Sequence, residues 1–340
     1  MPTLDEIFGD GNDKTGDEAL LEALTAGKST ASSRNSRKAG GDRLAADRAK
    51  GIEFSEDGRT LLKYPRNLRD KTYGIPNTVI EIGDLAFDGC DRLERVVIPD
   101  GVIRIGVRTF RNCCSLNRAD LPGHLIEIGG YAFKGCDNLD RLYISDSVRS
   151  IGDGAFSPYT EVVVSSDNPA FYVDDGGELI ERRRMRLLHF HGKYQEGYAI
   201  PKAVLAIGEN AFFDCKRWLE SVDIHNCVTE IGAGAFAECE NLRQVTLPKH
   251  LTEIADYTFA NCGLERVDIP YGVTRIGNSA FSGCGSFAGD DLEVTIPDSV
   301  TQIDEYAFDT QNLREVSVPH GCVIAENAFP ENCRIIRRRS

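Results

Sequence analysis

One nine-residue phrase limits what this chain can fold into. IGDLAFDGC at 82–90 returns as IGGYAFKGC at 128–136, IGENAFFDC at 207–215, IGAGAFAEC at 231–239 and IGNSAFSGC at 276–284. The aromatic and the cysteine stay fixed while their neighbours drift. A catalytic site is needed once, whereas a structural layer is needed once per layer, and fixed periods of 20 to 50 residues mark solenoids and other arrays.

Unit starts fall at Ile75, Ile98, Leu121 and Ile144, then at Ile200, Ile224, Leu247, Ile269, Ile296 and Val318. This makes about ten units of 22–24 residues in two blocks, 75–164 and 200–336, the second including a C-terminal cap. Within each unit a strand such as LERVVIP places Leu93, Val96 and Ile98 on one buried side, and a proline that lacks an N–H ends it. A second brief strand, VIEIG, turns at its glycine. Because Ala255, Asp304 and Ala325 also occupy that place, the position calls for a small or turn-tolerant residue more than for a positive φ. DLAFDGC then reads as one helical or 3₁₀ turn. Ten phenylalanines, from Phe87 to Phe329, would stand above one another at the strand spacing of about 4.8 Å.

Flanking segments break the pattern. Residues 1–50 are rich in Gly, Ser, Asp, Lys and Ala, which predicts a disordered, low-complexity segment. Within it, DEALLEALTAG could set Leu20, Leu21 and Leu24 on one helical face behind Asp17. Residues 51–74 and 165–199 share an order of apolar run, acidic-glycine turn (SEDG, DDGG), apolar run and tyrosine before Ile-Pro. Each predicts a β-hairpin, the first capping the N-terminal end and the second inserted between the blocks.

Seven of the eleven cysteines, Cys90, Cys113, Cys136, Cys215, Cys239, Cys262 and Cys284, share one repeat position. Parallel inward side chains at the coil spacing leave Cβ atoms about 4.8 Å apart where a disulfide wants about 3.8 Å, and zinc would need convergent pairs that are not present. Buried packing thiols are the expectation. Reactive thiols belong off the ladder, at Cys114, Cys227, Cys322 or Cys333.

The HFH at 189–191 is either the start of a metal site lacking a third ligand or a packed hairpin pair. ERRRMR at 181–186 reads as a turn or solvated face, or as a patch for an acidic partner. DNPAFYVDDGGE lacks calcium-loop spacing, and no phosphate loop, nucleophile elbow or HExxH occurs. No catalytic residue, cofactor or metal is therefore expected. A net charge of -14 and a pI near 5.0 disfavour nucleic acid and anionic membranes as partners. With no run of 18 apolar residues, membrane insertion is not expected either. The acidic first residues, MPTLDEIFGDGNDKTGDEALLEAL, do not read as a secretory leader, which by sequence alone places the chain in the cytoplasm.

The phrases IPDGVIRIGVRTFRNCCSLNRADLP, LPKHLTEIADYTFANCGLERVDIP and IPDSVTQIDEYAFDTQNLREVSVP resemble the BspA-like leucine-rich repeat family over about 75–336. The resemblance implies a curved leucine-rich-repeat solenoid, mainly parallel β, with its sheet on the concave side. It further implies a protein-binding role, adhesin-like at the cell surface or in secretion, with a protein or glycan ligand. An intracellular scaffold that uses the N-terminal segment is the other reading. On the concave sheet the solvent-facing positions precede each Ile-Pro by three and by one. The expected contact residues there are Arg95, Arg118, Asp120, Arg141, Tyr143, Asp223, Arg266 and Asp268.

Overall fold

Each coil turns three times because its backbone hydrogen bonds run to its neighbours rather than along itself. In the computed structural model, residues 43–191, 197–215, 219–285 and 292–339 are described. The solenoid is one unit from Gly51, and the residues before it form another. In that earlier unit, residues 43–49 are helical, with an Arg43–Asp47 ion pair of 3.1 Å one turn apart. This trims the disordered segment predicted over 1–50; the rest of it, 1–42, with the helix proposed around Leu20, lies outside the described residues.

The first side of each coil is a three- or four-residue strand. Thr72–Gly74, Arg95–Val97 and Arg118–Asp120 run parallel in register, with Val96 opposite Ala119 and both facing the core. Pro76, Pro99 and Pro122 follow, and their carbonyls accept turn bonds from Val79, Val102 and Leu125. The second side is a two-residue strand: Glu81–Ile82, Arg104–Ile105 and Glu127–Ile128 are again parallel, each isoleucine fully buried. The same two columns continue beyond Gly197, giving a solenoid of about 11 turns with almost no helix.

The third side corrects the expected helical turn. Asp88 N bonds to Leu85 O and Cys90 N to Phe87 O, while Leu85, Phe87 and Gly89 send their N–H groups to Val107, Thr109 and Arg111 of the next coil. These are successive β-turns linked into a third inter-coil ladder. To present alternate N–H groups this way the chain enters the left-handed region on both sides of the phenylalanine. Leu85 (φ 58°), Arg108 (55°), Tyr131 (58°) and Tyr257 (58°) do so two residues before it, and Gly89, Asn112 and Gly135 two residues after.

At the IG glycine, φ is not positive. The reason for glycine there is contact: a Cβ on Gly129 would lie 2.5 Å from Gly106 C and from Val107 N of the coil below. Asp304, one of the exceptions, uses its side chain to reach Arg275 at 2.6 Å.

The phenylalanines form the predicted spine. Phe87, Phe110 and Phe133 stack at 4.9 and 5.2 Å, and Phe212, Phe236, Phe259, Phe281, Phe308 and Phe329 at 4.7 to 5.4 Å, with ring planes within 18°. Beside the spine the thiols of Cys113, Cys136, Cys239, Cys262 and Cys284 donate to the carbonyl of the phenylalanine one coil back, as Cys136 Sγ does to Phe110 O at 3.0 Å and Cys262 Sγ to Phe236 O at 3.0 Å, while Cys90 donates to Tyr64 O. A small buried donor at this place satisfies an oxygen that water cannot reach.

Both flanking segments are β, with differences from the plain hairpins expected. Glu53–Phe54 and Thr60–Lys63 are antiparallel, and Thr60–Lys63 then pairs in parallel with Glu81–Ile82, so the hairpin joins the second column directly. Thr72–Gly74 already belongs to the first column. The inserted segment is a three-strand meander, Phe171–Val173, Glu178–Glu181 and Arg186–Phe190, whose last strand pairs with Ala206–Ile207. Arg182, Arg183 and Arg184 sit exposed in its turn. Tyr64 and Phe190 extend the spine, at 5.1 Å from Phe87 and 4.7 Å from Phe212.

Candidate functional site

The exposed face of the first strand column carries the residues singled out for contact. Alternation makes Val96, Ala119 and Leu142 point inward, so their neighbours at 95, 97, 118, 120, 141 and 143 must point out, and they are exposed. Arg95 and Arg118 face one another in register and converge on one carboxylate: Asp120 lies 3.4 Å from Arg95 and 3.0 Å from Arg118. Arg141 pairs instead with Glu161 at 2.6 Å. Tyr143 keeps 56% of its surface exposed beside it.

In later coils the arrangement is different. Arg266 and Asp268 form a two-bond pair at 3.0 and 3.1 Å, and Arg266 also reaches Glu293 at 3.9 Å. The hydrogen bond from Arg266 holds the Asp268 carboxyl below its usual range. Asp223 belongs to neither group. It borders a shallow depression of about 320 Å³ formed with Gly197, Ala199, Ser221, Gln244 and Thr246.

Sequence reasoning missed Glu161 and Glu293 as counter-charges. Glu161 begins a strand in register with Arg141–Ile144, but its coil reads EVVVSS with no Ile-Pro to mark it. Glu293 stands opposite Arg266, and the register of the two Ile-Pro phrases was the signal available. Each pair is exposed, so solvent screening leaves it little to contribute to stability.

The other chemistry considered resolves into structure. His189 donates Nε2–H to Thr160 O at 3.0 Å, and His191 donates Nδ1–H to Pro158 O at 3.2 Å, so both rings are committed to backbone carbonyls. Among the described residues no group of three or more His, Cys, Asp or Glu could hold a metal ion. All eleven cysteines are free. Burial pushes the Cys90 and Cys284 thiols up to about 12, which leaves them unreactive at neutral pH. Of the off-ladder thiols, Cys114 and Cys227 are exposed, Cys322 is buried and Cys333 is half-buried. Titration with a disulfide reagent should therefore find two thiols reacting rapidly in the native protein and all eleven in denaturant. Rapid reaction of the seven ladder thiols without denaturant would contradict the stacked arrangement.

The repeat is the feature that decides kinship. The model of the BspA-type leucine-rich repeat region matches residues 67–165 and 190–288, in six copies, more than half of the chain. The chain belongs to the BspA-type leucine-rich repeat family. No curated protein sequence matches it. Among solved structures, the pneumococcal vaccine antigen PcpA is 18% identical with a TM-score of 0.60, over 85% of this chain and 82% of that one. A leucine-rich repeat protein from Eubacterium ventriosum is 20% identical with a TM-score of 0.61, over 79% and 78%. A leucine-rich cell surface protein from Faecalibacterium prausnitzii is 23% identical with a TM-score of 0.55, over 85% and 93%. At these identities the likeness is one of fold. Among the described residues of this BspA-type chain, no helix is long and apolar enough to cross a membrane.

Proposed function

We propose that this BspA-type chain is a non-enzymatic protein-binding module whose exposed strand face, from Arg95 to Tyr143, makes the specific contact. The observation that carries the reading is the convergence of Arg95 and Arg118 on a single Asp120, with Arg141 and Tyr143 on the strand after them. Two guanidinium groups share one carboxylate, so one positive charge in that trio is not neutralised within it. A partner carboxylate can complete it with charge-assisted hydrogen bonds. Arginine and tyrosine are the residue types most enriched where binding energy concentrates.

Leucine-rich-repeat solenoids typically bind rather than catalyse, and two solved relatives are described as a vaccine antigen and a cell surface protein. Both descriptions support an adhesin-like role for the chain. Arg118→Glu combined with Arg141→Glu tests it, because the side chains are exposed and their reversal leaves the core untouched. Capture of a protein partner should fall at least tenfold with the denaturation midpoint little changed. Undiminished capture by a folded double variant would remove these coils from the contact.

A further inference from the structure

Among the described residues, neighbouring coils elsewhere share backbone hydrogen bonds on at least one of their sides, but one boundary has none. Among the described residues no backbone N–H of 51–168 reaches a carbonyl of 170–339, and none reaches back. The strand Ser150–Ile151 ends its sheet, and Arg186–Phe190 pairs with Glu178–Glu181 and Ala206–Ile207 instead. The spine is interrupted at the same place. Phe133 and Phe156 are 6.3 Å apart, Phe156 meets His189 edge-on at 5.6 Å, Phe190 and Phe212 are tilted by 32°, and regular stacking resumes only with Phe212 and Phe236.

Among the described residues, side chains close the gap. His189 and His191 donate to Thr160 O and Pro158 O. Arg186 pairs with Asp153 at 2.9 Å, Asn210 donates to the Tyr131 hydroxyl at 3.2 Å, and Tyr159 donates to Asp214 at 3.2 Å. Lys134 sets its amine 3.7 Å from the centre of the Phe213 ring. Between them lies a cavity of about 10 Å³, room for one water, lined by Lys134, Phe156, His189, Asn210 and Phe213 among others.

We infer that this seam is a hinge between two independently stacked halves, and that acid opens it by protonating His189. The ring is buried, its Nε2–H is already spent on Thr160 O, and it shares the small cavity with the Lys134 ammonium. A second positive charge there faces Lys134 on one side and His191 just beyond the end of its own strand on the other. Of the surrounding acids, Asp153 pairs with Arg186, Asp214 accepts from the Tyr159 hydroxyl, and Glu178, on the adjoining strand, accepts from the Tyr198 hydroxyl through one oxygen while its other oxygen is buried with no hydrogen bond. Opening lets the imidazolium reach water, which the closed seam denies it.

Burial draws the His189 ring down from 6.5 to about 4, against the hydrogen bond to Thr160 that raises it. For a base held below its unfolded value, the contribution to closure is complete above pH 6.5 and is lost as pH falls towards 4. Opening should then be roughly 60-fold more favourable at pH 4.5 than at pH 7.

Hydrogen exchange on the full chain at these two pH values, corrected for intrinsic rate, reads this directly. An open seam makes the coils at 150–165 and 178–191 into stack ends that fray. Their amides should lose protection roughly 60-fold relative to amides of 230–262, deep in the second half. His189→Gln, which retains a donor for Thr160 O but does not titrate, should abolish the difference. Parallel loss of protection at the seam and at 230–262, or an acid response retained in His189→Gln, would overturn the proposal. Should that variant not fold, the wild-type comparison of the two regions decides alone.

Discussion

Phe236→Ala lowers the stability of the solenoid by about 3 to 5 kcal/mol, the range for deleting a fully buried aromatic. The ring is 0% exposed and stacked on both faces, at 4.7 Å from Phe212 and 5.4 Å from Phe259. Truncation removes the apolar surface it buries, at roughly 25 cal/mol per Å², and breaks two ring contacts worth about 0.5 to 1.5 kcal/mol each. The cavity cannot collapse easily, because parallel strand pairs tie this coil to the one before it and the turn-side bonds from Gly234, Phe236 and Glu238 to Asp256, Thr258 and Ala260 tie it to the one after. Phe329→Ala makes the internal comparison: that ring is 8% exposed and stacks on Phe308 alone, so its loss should cost clearly less. Denaturant midpoints of the two variants measure this. Equal costs, or a cost below about 1 kcal/mol at Phe236, would mean that the spine is not a principal source of stability.

Gly129→Ala has the second-largest expected effect, although it adds a single methyl group. Its Cβ would fall 2.5 Å from Gly106 C and Val107 N and 2.6 Å from Gly106 O, all backbone atoms that no rotamer change can move. The two coils must separate locally, stretching the bonds from Gly129 N to Ile105 O and from Arg108 N to Gly130 O. A cost of about 3 kcal/mol follows, at the upper end of ordinary overpacking. Gly123→Ala is the control, since nothing lies within 4 Å of its Cβ, and it should be close to neutral. Thermal unfolding of both variants separates close approach from a general preference for glycine.

The coil was legible in the sequence wherever a residue type is forced by its layer. Phe236 and Cys239 recur because each coil adds a ring to the stack and most add a small buried donor for the carbonyl one coil back. The turn side was not legible. Leu85, Arg108, Tyr131 and Tyr257 adopt left-handed backbone against their own preference, held there by bonds to the adjacent coil rather than by anything in the local sequence. The role of the IG glycine was hidden for a related reason, since its neighbour lies 23 residues away in sequence and touches it through backbone.

On the candidate face, alternation within the strands correctly placed Arg95, Arg118 and Tyr143 outward. Counter-charges depend on register, and a coil without its Ile-Pro marker concealed Glu161. The seam needed still more, because its partners Tyr131 and Asn210 stand 79 residues apart. No pattern of spacing announces such a contact. It arises where the chain leaves its repeat, inserts a meander and resumes stacking on a different strand.

The strand face as the contact surface is tested most directly by photocrosslinking from single positions. A photoreactive residue at Tyr143, on the strand face, should crosslink a protein partner, whereas one at Tyr257, equally exposed on the turn side, should not. The Arg118→Glu and Arg141→Glu background should erase the crosslink from position 143. Crosslinks from position 257 with none from 143 would contradict the account and move recognition to the turns.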